Sequence, residues 1–344
     1  MNNAEMKKYA IKTSVFAIVS ISLMLYRSAT KHIMITDAAE TPVDRGNTYT
    51  SYNLLMSREI PEGKQGTLII PLDKSVSSDN IVLEDRYVDH ELRIYIDSRE
   101  TDYYKTNPVV TDLNIIENAV CVSEGDEGNV CLDFKLKGLY VNESSLTETS
   151  TIEVKFYNPA EKFDHIVVVD DETAGEAETT QPEPAEKDTA LDTALLLKSM
   201  ADKDTENNVK VYVTRLSSED VDLEKRQALV RDSGADLLVE FAVEAQDGAG
   251  KALRAGYNDS FFLRRLSNAD FADIMLRNCA YKSGTDGVKI VSIGEEDLLI
   301  KNSVVPSAKL MLTGTAEALS DQAYRKKLAE GIYSGILEAF EVME

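Results

Sequence analysis

The sequence predicts an α/β fold for the C-terminal half, with a mostly parallel sheet covered by helices, preceded by a small all-β domain and an N-terminal transmembrane helix. Three observations predict this arrangement. A lysine-rich start leads into an apolar run, short runs of alternating apolar and polar residues follow from Gly66, and strand-like and helix-like runs alternate from Asp164. Alternating strands and helices are typical of a covered parallel sheet.

The composition indicates a folded protein of about two domains. The chain has 344 residues, of which 43% are hydrophobic and 28% are charged, which is enough for a substantial core. Its 37 Lys and Arg against 60 Asp and Glu give a formal net charge of −23. So acidic a chain repels a phosphate backbone, and no basic stripe in the sequence offsets that repulsion. We therefore expect no nucleic-acid partner.

Residues 1–33 are predicted to be a signal anchor that crosses the cell membrane once. Three lysines precede an uncharged run over residues 13–26. The residues after this run form only a poor cleavage site, which favours an uncleaved anchor over a removed signal peptide. Because the lysines lie before the run, the remaining domains are expected on the extracytoplasmic side. The alternative is a short buried helix of a cytoplasmic domain.

Residues 34–65 are predicted to be a linker, and residues 66–160 a β-rich domain. The linker shows no sustained periodicity, whereas the domain has runs with a period of two between turn residues. Cys121 and Cys131 flank a turn-like segment, so they should lie on paired antiparallel strands, either bonded to each other or as packed free thiols. The predicted strands are 67–71, 91–97, 118–122, 130–136 and 152–156.

Residues 161–344 are predicted to form the α/β domain. A β-branched run is followed by an amphipathic helix, and the alternation continues to a closing helix. Between the first strand and the first helix lies a long acidic segment, 171–186, at a strand end where α/β proteins bind ligands. The predicted strands are 166–169, 209–214 and 235–242, and the predicted helices are 192–200, 223–233, 268–279 and 321–340.

Seven segments of this domain occur in the order of a known enzyme family. They are HIVVVD (165–170), EKDTALDTALLLKSM (186–200), VKVYVTR (209–215), DVDLEKRQALVRDSGADLLVEF (220–241), GVKIV (287–291), LLIKNSVVPSAKLML (298–312) and YRKKLAEGIYSGI (324–336). Through them residues 164–340 resemble the zinc-dependent N-acetylmuramoyl-L-alanine amidases, which cut the bond between the glycan's lactyl group and the stem peptide of peptidoglycan. The β-rich domain occupies the place where such enzymes often carry a wall-targeting domain, an analogy of position.

The resemblance implies a zinc ion held by two histidines and one glutamate, and a second glutamate as general base. The chain keeps the glutamate ligand as Glu186. Thr173 and Ala242 stand where the family has its histidines, and Met311 stands where it has the base. Without imidazole donors a tight zinc site is not expected, and a methionine cannot accept the proton. We therefore expect no catalytic residues, no cofactor and an inactive relative.

A hard-cation site is a second hypothesis for the same place. Glu240 and Glu244 alternate with Ala242 along a predicted strand, so their carboxylates should share one face. Together with Asp170 and the vestigial ligand Glu186 they would offer the oxygen ligands that Ca²⁺ or Mg²⁺ prefers. The simpler interpretation is that these acids face solvent at a strand end.

A structural role is the first expectation for two of the arginines. Arg215 and Arg226 are expected to brace the sheet and a helix through ion pairs, and this is favoured over substrate binding by Arg226. A small basic concentration remains that could contact an acidic partner; it consists of Arg254, Arg264, Arg265 and Arg277.

The leading functional hypothesis is a membrane-anchored envelope protein that binds peptidoglycan, or cell-wall or division proteins, without catalysis. The alternative is an active zinc-dependent amidase that hydrolyses the MurNAc to L-Ala amide bond of peptidoglycan through unrecognised ligands. A third hypothesis makes the β-rich domain the interacting part and the C-terminal domain a passive spacer.

Overall fold

The computed structural model describes residues 34–37, 49–98, 100–124, 129–171, 184–245, 250–260, 262–293 and 297–344. The predicted membrane anchor, residues 1–33, lies outside these ranges. Within them, no helix is both long enough and apolar enough to cross a membrane.

The N-terminal part of the described chain is a sandwich of two sheets. The first sheet has the strand order β1-β5-β6-β9-β8-β2 and the second β10-β11-β4-β7-β3. One apolar core between them draws on both sheets, and along β9 every second residue is buried, as the period-two pattern predicts. The strands are β1 (Met34–Asp37), β2 (Tyr49–Asn53), β3 (Met56–Ser57), β4 (Thr67–Pro71), β5 (Ile81–Arg86), β6 (Glu91–Asp97), β7 (Val109–Val110), β8 (Ile116–Glu124), β9 (Asn129–Leu136), β10 (Val141–Leu146) and β11 (Thr151–Tyr157). Three 3-10 turns lie at Ser78–Asn80, Tyr87–Asp89 and Tyr103–Lys105.

The linker predicted over residues 34–65 is wrong for part of its length, because β1, β2 and β3 belong to the sandwich. They pair with β5, β8 and β7, respectively. Strand β2 lies at the edge of its sheet, and Thr50, Ser51 and Asn53 are exposed. Such a strand is held by backbone hydrogen bonds to its neighbour and needs no apolar face of its own, so its sequence shows no periodicity.

The two cysteines of the sandwich lie on paired antiparallel strands, as predicted, but on opposite faces of the sheet. Cys121 on β8 is the register partner of Leu132, whereas Cys131 on β9 is the partner of Val122. A shift of one residue turns a side chain to the other face. Both thiols are therefore free, and that of Cys121 is buried in the core between the sheets.

The C-terminal part contains the third sheet, with the strand order β13-β12-β14-β17-β15-β16. All neighbouring pairs described in it are parallel except β15 with β17, which confirms the predicted, mostly parallel sheet. Its strands are β12 (His165–Asp171), β13 (Val209–Val213), β14 (Leu237–Ala245), β15 (Ala252–Tyr257), β16 (Asp286–Ser292) and β17 (Ser307–Gly314). The helices are α1 (Pro159–Lys162), α2 (Pro184–Lys203), α3 (Leu223–Asp232), α4 (Asn268–Ser283), α5 (Leu298–Lys301), α6 (Ala316–Leu319) and α7 (Gln322–Met343).

Helices α4 and α7 pack against each other at two glycines. A Cβ added at Gly331 would lie 2.7 Å from the Cα of Cys279, and one added at Gly335 would lie 2.7 Å from the Sδ of Met275. The absence of side chains at these positions lets the two helix backbones approach closely. Helix α4 begins at Ser267, whose side chain accepts a hydrogen bond from the Asp270 amide, and ends at Gly284 in the left-handed conformation.

The two domains share one apolar core at their junction, to which the β domain contributes Tyr87 and Leu139. The Tyr87 hydroxyl donates a hydrogen bond to the Val213 carbonyl at 2.8 Å and accepts one from the Val213 amide at 3.0 Å. Because Val213 ends an edge strand, this hydroxyl satisfies backbone groups that no strand pairs with. Polar side chains also meet at this junction, among them Lys225 with Asp89 at 2.8 Å and His90 with Asp232 at 3.6 Å.

Candidate functional site

The candidate site lies on one face of the third sheet, toward the carboxyl ends of its parallel strands. Asp170 on β12 is the register partner of Glu240 on β14, and Glu240 is the partner of Lys309 on β17. Register partners in a parallel sheet point to the same face, so the three side chains form a row. Two residues further along, Ala242 and Met311 are partners on the same face. We call this surface the site face.

Lys309 joins two acids at the centre of the row. Its Nζ lies 2.8 Å from Oε1 of Glu240 and 3.0 Å from Oδ2 of Asp297. Glu240 is only 2% exposed. Asp297 also caps α5, because its Oδ1 accepts a hydrogen bond from the Ile300 amide at 3.0 Å. Burial favours the neutral acid, but Lys309 and this amide hold the pKa of Asp297 below its ordinary value.

Asp170, at the other end of the row, is fully buried and has two partners. Thr214 Oγ1 donates to its Oδ1 at 2.6 Å, and Arg226 Nη1 from α3 lies 2.9 Å from its Oδ2. Arg226 thus makes the bracing ion pair that the sequence predicts. The ion pair therefore ties helix α3 to the carboxyl end of β12.

Arg215 makes the second predicted ion pair, with its Nη2 2.6 Å from Oδ2 of Asp171. Asp171 is the last residue of β12, and both side chains are buried. Burial raises the pKa of Asp171 above the ordinary carboxyl value, and the nearby charge of Asp170 adds to this effect, whereas Arg215 opposes it.

Ala242 and Met311, which the resemblance places at the family's second histidine and at its base, are register partners with apolar side chains. The end of the Met311 side chain covers Gly256 on β15, because a Cβ added there would lie 3.3 Å from the Met311 Cε. The same Cβ would lie 2.8 Å from Cγ2 of Ile293. The thioether is therefore packed against the neighbouring strand.

A zinc ion bound as in the resembling family does not fit the described residues. Ala242 has no donor atom, and the thioether of Met311 is a poor zinc ligand beside imidazole, thiolate or carboxylate. No group of three or more His, Cys, Asp or Glu in the described part of the chain is arranged to hold a metal ion. Thr173 lies outside the described residues. Glu186 lies in α2, and only its backbone is described.

The histidines whose structure is described, His90 and His165, do not lie on the site face. His165 stacks on Phe340 with ring centroids 3.9 Å apart, at the opposite end of β12, about 16 Å along the strand from Asp170. His90 faces Asp232 at the domain junction. Neither can replace the imidazoles of the family's site.

The hard-cation hypothesis is not supported by the geometry of its described acids. Asp170 and Glu240 share the site face, as predicted, but each is already paired with a cationic side chain. Glu244 lies further along, its side chain 67% exposed and its Oε2 3.9 Å from Arg254. The simpler interpretation, acids that face solvent, is wrong for Asp170 and Glu240, which are buried, and holds for Glu244.

The basic concentration predicted to contact an acidic partner is engaged within the chain. Arg264 donates to the Val304 carbonyl and stacks on Phe262 at 4.1 Å, and Arg265 contacts the C-terminal carbonyls. Arg277 pairs with Asp273 and Glu338. These arginines hold loops and helix ends together, so the structure gives no support for a shared basic surface.

Sequence reasoning missed Lys309 and Asp297. A lysine within the apolar run Ser307–Gly314 is unusual in a buried strand, so its presence could have predicted an acidic partner close by. Asp297 directly precedes a short helix, which marks a helix cap, but nothing local to either residue predicts that they meet.

Together, the fold and the site define a helix-covered, mostly parallel α/β domain with its site at the carboxyl ends of the strands. Residues 172–338 match the family model described as N-acetylmuramoyl-L-alanine amidase. Over these residues, the C-terminal domain of this chain is similar to that family. No curated protein matches the chain.

Several solved structures are similar to the chain. The catalytic domain of the amidase CwlV from Bacillus (Paenibacillus) polymyxa var. colistinus is 21% identical, with 52% of this chain and 99% of that chain covered and a TM-score of 0.42. An N-acetylmuramoyl-L-alanine amidase from Clostridium difficile 630 is 20% identical, with 52% and 97% covered and a TM-score of 0.44. The CwlD amidase from Clostridioides difficile, solved in complex with the GerS lipoprotein, is 16% identical, with 52% and 99% covered and a TM-score of 0.41. The similarity to the amidase family therefore rests on the match of residues 172–338 to the family model.

Proposed function

We propose that this chain is a cell-envelope protein whose amidase-like domain binds peptidoglycan, or a protein of the cell-wall or division machinery, without hydrolysing it. The observation that carries the proposal is the pairing of Ala242 with Met311 on adjacent strands. The resemblance implies a zinc ligand and a general base at these two positions. A methyl group and a thioether supply neither, and amide hydrolysis near neutral pH depends on water activation and proton transfer.

The charges beside this pair support the same proposal. Two acids flank Ala242 on the same strand and face: Glu240, which Lys309 engages at 2.8 Å, and the exposed Glu244, which lies 3.9 Å from Arg254. Asp297, whose pKa is held below its ordinary value, is a poor proton acceptor. The ion pairs of Lys309 with Glu240 and Asp297 stabilise the fold. If Glu240 or Asp297 left Lys309 to take part in catalysis, a charge would remain unpaired in a largely buried place.

The proposal also includes residues 1–33 as a membrane anchor that crosses once. This anchor would keep both domains on the extracytoplasmic side of the membrane, where peptidoglycan lies. The support is the uncharged run over residues 13–26 after three lysines. Alkaline carbonate extraction tests it: the full chain should stay with the membrane, and a chain without residues 1–33 should be released. Release of both would contradict the anchor.

The central test uses the purified full chain in detergent. Bound zinc is measured by plasma mass spectrometry, release of stem peptides from purified peptidoglycan by liquid chromatography, and binding by co-sedimentation with the same peptidoglycan. We expect substoichiometric zinc, no peptide release and retention in the pellet. Stoichiometric zinc with peptide release would establish the alternative, an active zinc-dependent amidase.

A matched pair of variants separates binding by the site face from binding elsewhere. Met311→Lys adds a charge beside Ala242, whereas Lys326→Met alters an exposed residue of α7. Only the first should reduce co-sedimentation. If the two variants bind equally well, binding depends on another surface, which is the expectation of the hypothesis that the β domain is the interacting part.

A further inference from the structure

Strand β2 has an open side along its backbone. It is an edge strand of the first sheet, and in the described part of the chain its one neighbour is β8. The Leu54 amide, directly after β2, donates a hydrogen bond to the Ala119 carbonyl of β8 at 3.0 Å. Because backbone groups alternate in direction along an antiparallel strand, those of Tyr49, Ser51 and Asn53 point away from β8. This side of β2 can therefore pair with a further strand.

The sequence of β2 lacks the features that usually protect an edge strand. It reads Tyr-Thr-Ser-Tyr-Asn, without a charged residue, a proline or a glycine. Every other edge strand of more than two residues in the three described sheets carries a charge. The charged residues are Asp37 in β1, Glu143 in β10, Lys210 in β13, and Asp286 and Lys289 in β16. Since charged side chains on an edge disfavour pairing with another chain, β2 is the edge most open to such pairing.

The side chains around this edge are uncharged or apolar as well. Cys121 of β8 points into the core, so its two neighbours on β8 and their register partners on β2 lie on the outer face of the sheet. These four residues are Val120, Val122, Ser51 and Asn53. Directly after β2, Leu55 and Met56 are 48% and 41% exposed. Exposed apolar side chains grouped beside an unprotected edge are typical of a contact surface.

We propose that two copies of this chain associate through β2, which pairs antiparallel with β2 of the second copy about a twofold axis at Ser51. Ser51 then lies opposite Ser51 of the second copy, and Tyr49 of each copy lies opposite Asn53 of the other. The outward backbone groups of both strands are thereby paired, and the first sheets of the two copies become one continuous sheet.

The charge of the chain favours a second copy as the occupant of this edge. A partner held by charge would need charged side chains on β2, and β2 has none. Uncharged side chains complement an identical strand, because no like charges meet across the axis. Each copy carries a formal net charge of −23, so two copies repel each other least where they meet through an uncharged segment.

Sedimentation velocity of the full chain in detergent measures this association. We expect a dimer that becomes tighter when NaCl is raised from about 0.05 M to about 0.5 M, because salt screens the repulsion between two acidic copies. Ser51→Lys brings two like charges together across the axis and should weaken association about tenfold. Ser218→Lys makes the same change of charge at an exposed serine of the amidase-like domain, and this matched control should still associate.

Ser51→Cys gives a second measurement, which depends on the register of the two strands. Opposite residues of a hydrogen-bonded antiparallel pair have Cα atoms about 5.5 Å apart, a distance that a disulfide can span. Mild oxidation should therefore give a covalent dimer of Ser51→Cys on a non-reducing gel. Ser218→Cys and the unchanged chain, which has its own three cysteines, should stay monomeric on the same gel.

Circular dichroism shows whether each variant folds, and Ser51→Cys keeps the test valid if Ser51→Lys does not fold. A monomer at both salt concentrations, equal association of Ser51→Lys and Ser218→Lys, or the absence of a covalent dimer of Ser51→Cys would overturn the inference. Association through the membrane anchor would give the second of these results, because Ser51→Lys would leave it unchanged.

Discussion

Lys309 on β17 lies across from Glu240 on β14, with its ammonium 2.8 Å from the glutamate carboxylate and 3.0 Å from that of Asp297. Glu240 and Lys309 lie on the site face, two residues before Ala242 and Met311 along the same two strands. The residues that the amidase resemblance assigns to catalysis therefore lie beside charged side chains that are already paired with one another.

Replacing Lys309 by Met should lower the free energy of unfolding by about 3–5 kcal/mol, because the buried carboxylate of Glu240 and the partly buried one of Asp297 lose their cation. Urea denaturation of the full chain measures the change. Lys326→Met, at an exposed position, is the matched control and should change stability by less than about 0.5 kcal/mol. Adding Glu240→Gln to Lys309→Met should recover part of the loss. Equal stability of the two single variants would refute the role of the buried cluster.

Tyr87→Phe should destabilise the chain by about 1–3 kcal/mol, because the amide and carbonyl of Val213 would both lose the hydroxyl that satisfies them. Tyr103→Phe, a change of the same size within the β domain, is the control and should have a smaller effect. Thermal unfolding followed by circular dichroism compares them. Indistinguishable melting curves would show that the hydroxyl does not hold the domains together.

Gly331→Ala and Gly335→Ala should differ, although alanine is the better helix former at both sites. At Gly331 the added methyl group meets backbone atoms of Cys279, whereas at Gly335 its nearest contact is the flexible end of Met275. We expect Gly331→Ala to cost about 1–3 kcal/mol and Gly335→Ala to cost less. Denaturant midpoints of the two variants decide the order, and the reverse order would mean that α4 and α7 pack differently.

The cap at Asp297 should make part of the stability depend on pH. Its folded pKa lies below the ordinary value of 3.8, so its contribution is present above that value and is lost as the pH falls through the folded pKa. Asp297→Asn should therefore cost more stability at about pH 6 than at about pH 3. Urea denaturation at both pH values measures this difference. A cost for Asp297→Asn that is the same at both pH values would contradict the prediction.

Cys121 and Cys131 should remain unbonded in protein isolated without reductant, because their side chains point to opposite faces of one sheet. Alkylation of the unfolded chain followed by peptide mass spectrometry should find both thiols modified. A peptide that links the two residues would contradict the register of β8 and β9.

Much of the fold could be predicted because its signals are local. Period-two runs matched β4 and β6 to the residue, and the predicted helix start at Leu223 was confirmed. Strand β15 was missed, because it has no strict alternation and lies next to β17, which holds it through backbone hydrogen bonds. The bracing arginines were predicted from residue type, but their partners were not, since Arg226 and Asp170 are far apart in sequence.

By itself, the sequence determined the alternation of strands and helices in the C-terminal domain, the acidic balance of the chain, and the residue types at Thr173, Ala242 and Met311, because composition, periodicity and motif identity are properties of the linear chain. Only the tertiary structure decided that Lys309 joins Glu240 and Asp297, that Tyr87 closes the edge of β13, and that the chain near residue 50 completes the sandwich. Strand register and the packing of distant segments create those contacts, and neither leaves a pattern within a short stretch of sequence.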